Sequence, residues 1–115
     1  MPEVLSIVDR YLAALRVQDW DALAATLEPD VERTGPYNDV YRAREPYVAY
    51  LADVFRTLAG YELAIARRLV AGDVVIVELS ETIDTASGRR RTDEVVVFDV
   101  SANALIRRVG VYIRR

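Results

Sequence analysis

The chain is 115 residues of 13.0 kDa, 52% hydrophobic and 29% charged, which is an ordinary globular balance sized for one domain, expected to span residues 1–115. Its net charge of −3 and pI near 5.0 give no basic surplus for nucleic acid. Cysteine and histidine are absent and all 15 basic residues are arginine. This argues against disulfides, thiolate nucleophiles, His-based triads, Schiff-base lysine chemistry and a His or Cys metal site.

In chain order, Val4, Leu5, Val8, Tyr11, Leu12 and Leu15 recur at spacings of three and four and predict an amphipathic helix over residues 3–16. The early charges Glu3, Asp9 and Arg10 are not those of a secretory leader, and no apolar run reaches membrane-spanning length, so a soluble cytoplasmic protein without membrane contact is expected. Asp19 is placed to cap a short second helix with Trp20, Leu23 and Leu27 on one face, closed by Pro29. Residues 30–44 look irregular, with a short strand at 31–34 and a turn at 36–39. A third helix is predicted from Pro46, its apolar arc running from Tyr47 through Phe55 to Leu58, with Gly60 at its C′ position.

Beyond Gly60 the period becomes two, and four strands follow as a meander: residues 61–70, 74–83, 92–100 and 104–113. The middle pair carries acids within apolar runs. Glu78 shares a face with Val74 and Ile76, and Glu94 with Thr92, Val96 and Phe98. Helices can cover one sheet face only, so the other face is expected to pair with a second copy of the chain.

The strings VDRYLAALRVQDWDALAATLEPDV, YRAREPYVAYLADVF and RRTDEVVVFDVSANALIRRVGVYI resemble the NTF2-like superfamily, which includes SnoaL-like cyclases, ketosteroid isomerases and limonene epoxide hydrolases. The resemblance spans nearly the whole chain and implies an α+β cone, with three N-terminal helices packed on a curved, mainly antiparallel sheet. Against the ketosteroid isomerases, it puts Tyr11 at the oxyanion-hole tyrosine and Glu94 at the second, protonated oxyanion-hole acid. The aspartate base of that family falls most nearly on Arg33, which cannot abstract a proton. Against the epoxide hydrolases, Glu81 falls near the first acid, but Leu79 stands where an arginine is needed. The His–Asp arrangement of SnoaL-like cyclases has no counterpart in a chain without histidine.

These readings lead to an interior pocket for a mostly apolar small molecule, with cofactor-free and metal-free acid–base chemistry if the protein is an enzyme. Tyr11, Glu94 and Glu78 are the candidate catalytic residues, with Glu78 and Glu94 facing one another across the hairpin as a coupled pair. Trp20, Arg33, Tyr37, Phe55 and Phe98 are the candidate ligand-binding residues, Arg33 holding an anionic group. Arg33 and Arg67 are the expected partners for Glu94. The alternative is a non-catalytic ligand-binding or dimerisation domain whose arginines and acids form a structural network.

Overall fold

The computed structural model describes residues 3–114; residues 1, 2 and 115 of the expected domain lie outside the described residues. Three helices, α1 (Glu3–Val17), α2 (Trp20–Ala24) and α3 (Arg44–Phe55), pack on six strands: β1 (Leu27–Thr34), β2 (Val40–Arg42), β3 (Ala59–Ala71), β4 (Val74–Thr85), β5 (Gly88–Val100) and β6 (Ile106–Arg114). The sheet order is β2-β1-β6-β5-β4-β3. β1 runs parallel to β6 and every other neighbouring pair is antiparallel, so the sheet is mixed and the α+β class is as expected.

α1 forms where the three-and-four spacing predicts it, burying Ile7, Val8, Tyr11, Leu12, Ala14 and Leu15 as one stripe. Asp19 caps α2 as expected, its Oδ1 accepting from the Ala22 amide at 3.1 Å. α2 is shorter than its apolar spacing suggested. Leu27 leaves the helix to open β1, where it pairs with Ile106 and is fully buried. Pro29 therefore lies within a strand. The β1–β6 register is broken between Leu27 and Glu32, which is where a residue lacking an amide hydrogen is tolerated.

α3 ends at Phe55, earlier than Leu58, and Gly60 is not its C′ residue. Gly60 (φ +63°) sits instead at the irregular start of β3, where a Cβ would collide with the Asp84 carboxylate. β2, a strand of three residues, was hidden in the irregular segment.

The β4–β5 pairing fixes which side chains share a face. Val77 lies opposite Val96, Leu79 opposite Glu94, and Glu81 opposite Thr92; Glu78 lies opposite Val95. Residues directly opposite project to the same side, and alternate residues to the other. Val75, Val77, Leu79, Val96 and Phe98 are buried beneath the helices, so the inner face is the odd-numbered set of β4, and it carries Glu81. Glu78 belongs to the outer face. It accepts from Arg67 Nε and Nη2 at 2.8 and 3.0 Å, which also removes Arg67 as a partner for Glu94.

Candidate functional site

Between the helices and the inner face of the sheet lies a cavity of about 280 Å³, near the lower end of the range for small-molecule sites. Leu12 and Leu15 of α1, Leu51, Val54 and Phe55 of α3, and Val109, Val111 and Ile113 of β6 make it predominantly apolar. Two polar groups of residues interrupt this surface.

The first lies on the inner wall. Tyr61 of β3 donates its hydroxyl proton to the Glu81 carboxylate, and Glu94 is the diagonal neighbour of Glu81 on the same face of the sheet. Burial, followed by the hydrogen bond and charge of Glu81, pushes the Glu94 carboxyl up to about 9. At neutral pH Glu94 therefore keeps its proton. The same burial and the Glu81 charge push the Tyr61 phenol far above its ordinary value, so it remains a donor. Among the described residues no ion pair reaches either Glu81 or Glu94.

The second lies toward the β1–β2 end. Tyr11 of α1 and Tyr47 of α3 are both buried, and their hydroxyls hydrogen-bond to one another. Burial raises both phenols, Tyr47 to about 12, and their mutual contact adds to the rise at Tyr11. Two neutral hydroxyls own two protons and their mutual bond uses one. The other remains for a third partner. Tyr11 also packs edge-on against Phe98, with ring centres 5.2 Å apart.

Arg33 of β1 stands next to this pair, its guanidinium carbon 5.9 Å from the Tyr47 ring centre and 5.1 Å from that of Tyr50. Its Nη1 donates to Asp39 at 2.7 Å. Burial opposes the guanidinium charge, but Tyr47, Tyr50 and Asp39 sustain it, and the side chain stays cationic. Gly35 makes the ion pair possible, because a Cβ there would meet both the Asp39 carboxylate and Arg33 Nη1.

Of the residues singled out from the sequence, Tyr11, Arg33, Tyr37, Phe55, Glu94 and Phe98 line the cavity. Trp20 does not: it packs edge-on against Phe55 at 5.3 Å, behind the wall. Glu78 is on the opposite side of the sheet, so the acids that share the inner face across the hairpin are Glu81 and Glu94, set diagonally, not Glu78 and Glu94. Glu81, Tyr47, Tyr61 and Asp39 were missed as cavity residues. Parity in the sequence puts Glu81 on one face with Val75, Val77 and Leu79 but leaves open which face turns inward. Among the described residues no group of three acids could hold a metal ion. No described helix is long and apolar enough to cross a membrane.

A mixed sheet closed by three helices around an apolar cavity, with acids on its inner wall, defines an α+β cone of the NTF2-like type. The chain belongs to the SnoaL-like domain family, whose model matches residues 8–109. Solved structures agree on the fold. A protein from Kribbella flavida DSM 17836 assigned as a ketosteroid isomerase superposes with a TM-score of 0.86 at 21% identity, over 98% of this chain and 78% of that one. An LEH-like epoxide hydrolase from M. tuberculosis gives 0.83 at 22% identity, over 97% and 83%. A protein from Shewanella putrefaciens CN-32 assigned as a SnoaL-like polyketide cyclase gives 0.86 at 15% identity, over 98% and 90%. No curated protein matches the chain in sequence.

Proposed function

We propose that the protein binds a mostly apolar small molecule in this cavity and moves a proton on it without a cofactor, as an isomerase or cyclase would. The observation that carries this reading is the Glu81–Glu94 pair, two neighbouring carboxyls on the wall of an apolar cavity, of which Glu94 keeps its proton at neutral pH. Such a pair supplies an acid and a base at the same pH, as proton transfer at carbon requires. The Glu81 carboxylate takes the proton from a carbon next to a carbonyl. The spare hydroxyl proton of the Tyr11–Tyr47 pair hydrogen-bonds to the carbonyl oxygen as it gains charge. Return of the proton to a different carbon completes an isomerisation; for a ring closure the enolate carbon instead attacks a second carbonyl of the same molecule, and the alkoxide that forms takes the proton from Glu81. Either way Glu81 ends as it began.

The relatives include proteins assigned to both reactions. Epoxide opening, the activity named for the mycobacterial relative, is supported less well, because Leu79, two residues before Glu81, stands where an arginine would be needed.

Hydrogen–deuterium exchange next to the carbonyl tests the reading. In deuterated buffer, 2-tetralone incubated with the protein is expected to exchange faster than in buffer alone, followed by proton NMR. Glu81→Gln is expected to lower that acceleration by about 100-fold or more. Full exchange activity in Glu81→Gln would overturn the catalytic assignment. The alternative, a ligand-binding domain with a structural arginine–acid network, draws on the outer-face pairs Arg67–Glu78, Arg91–Asp93 and Arg108–Asp99. All three lie away from the cavity acids.

A further inference from the structure

Arg33 is more deeply buried than its ion pair explains. The residue is 7% exposed, and its guanidinium is covered on the ring side by Tyr47 and Tyr50. A guanidinium presents five N–H donors in a planar fork and keeps its charge at any working pH. Here Nη1 serves Asp39, whereas Nε is buried and meets no acceptor among the described residues. Asp39 is a poor match for such a cation. Its side chain is 34% exposed, it reaches one nitrogen, and it follows Asn38, whose φ of +63° marks a tight turn. A buried cation that lines the cavity and has a rim-side, singly bonded counter-ion keeps an unmatched donor at Nε for a second anionic partner.

We infer that the ligand of this cavity is an apolar carboxylate, bound through its carboxylate group at the Nε edge of Arg33, with its apolar body directed toward the inner wall of the sheet. This rests on the ligand-binding reading above and narrows it to a substrate class. The two polar groups of the cavity then divide the work. Arg33 holds the charged end at the β1–β2 side, and Glu81 with Glu94 meets the opposite end of the molecule. Asp39 competes with the incoming carboxylate for the same guanidinium. The apolar walls contributed by Leu51, Val54 and Val111 favour a hydrocarbon body over a sugar or a nucleotide.

Isothermal titration calorimetry with 2-naphthoate and the similarly shaped neutral alcohol 2-naphthylmethanol tests this. The protein is expected to prefer the carboxylate by about tenfold or more, as a charge-assisted fork predicts. Arg33→Met should abolish the preference while leaving the alcohol's affinity in place, and Glu78→Gln, on the outer face, should leave the preference standing. Asp39→Asn, a change at an accessible loop, should increase the preference by roughly threefold or more by removing the competing anion. It carries the test if Arg33→Met does not fold. Equal affinity for the two probes, a preference that survives Arg33→Met, or an Asp39→Asn preference that fails to rise would overturn the carboxylate assignment alone. Failure of both probes to bind would overturn the interior ligand site as well.

Discussion

Glu81 and Glu94 are diagonal neighbours on the inner face of the sheet: Glu94 stands opposite Leu79 on β4, and Glu81 stands opposite Thr92 on β5. Diagonal pairs on one face are close enough for long side chains to meet. Burial and this contact together keep Glu94 protonated up to about pH 9.

This has a consequence for stability with a definite sign. Unfolded, the Glu94 carboxyl returns to its ordinary value of 4.5, well below its folded value of about 9. Between these values the native state binds the proton and the unfolded state releases it. The contribution of this group therefore costs stability as pH rises, by up to about 1.4 kcal/mol per pH unit, and levels off above the folded value. Below the unfolded value both states are protonated and the cost vanishes. Urea unfolding at pH 5.5 and pH 8 should show Glu94→Gln gaining stability relative to the parent chain at the higher pH. Equal differences at both pH values would show that Glu94 is ionised in the native state.

The Tyr11–Tyr47 bond joins α1 to α3 across 36 residues of sequence, and both partners are buried. Removing one hydroxyl leaves the other without its partner, so Tyr11→Phe is expected to cost about 1–3 kcal/mol. Replacing both should cost less than the sum of the single changes, because no buried hydroxyl is then stranded. A double-mutant cycle by chemical denaturation measures the coupling directly.

Gly35 lies under the Arg33–Asp39 bridge. Gly35→Ala should displace the Asp39 carboxylate from Arg33 and destabilise the chain by about 1–3 kcal/mol, chiefly by leaving a buried cation without its counter-ion. The ¹⁵N resonance of the Arg33 guanidinium reports the broken pair. An unshifted resonance with native stability would show that the loop absorbs the methyl group.

Trp20 and Glu78 separate support from function. Trp20 packs on Phe55 behind the cavity wall, so Trp20→Ala should lower stability by about 1–3 kcal/mol while the 2-naphthoate affinity stays within about threefold. Glu78→Gln removes a solvated pair on the outer face and should leave both ligand binding and exchange activity unchanged. A large loss of exchange activity in Glu78→Gln would contradict the assignment of faces made from the strand register.

The sequence made most element types legible, because they depend on local period and punctuation, but not β2, three residues inside a turn-rich segment. The stripe of α1, the Asp19 cap and the alternation of the four long strands are all read within windows of a few residues. It also placed Tyr11 and Glu94 in the cavity through the family resemblance. Alternation divides β4 into two faces but does not say which one faces inward. Val74, Ile76 and Glu78 read as plausibly as Val75, Val77 and Glu81. Only the packing of α1 onto the odd-numbered set decided it, and that choice moved the acid on the inner face from Glu78 to Glu81. The Tyr11–Tyr47 bond, the Tyr61–Glu81 contact and the burial of Arg33 likewise depend on elements far apart in the chain. A one-residue change of parity reverses every side chain of a strand, so the identity of the second acid was a tertiary fact rather than a local one.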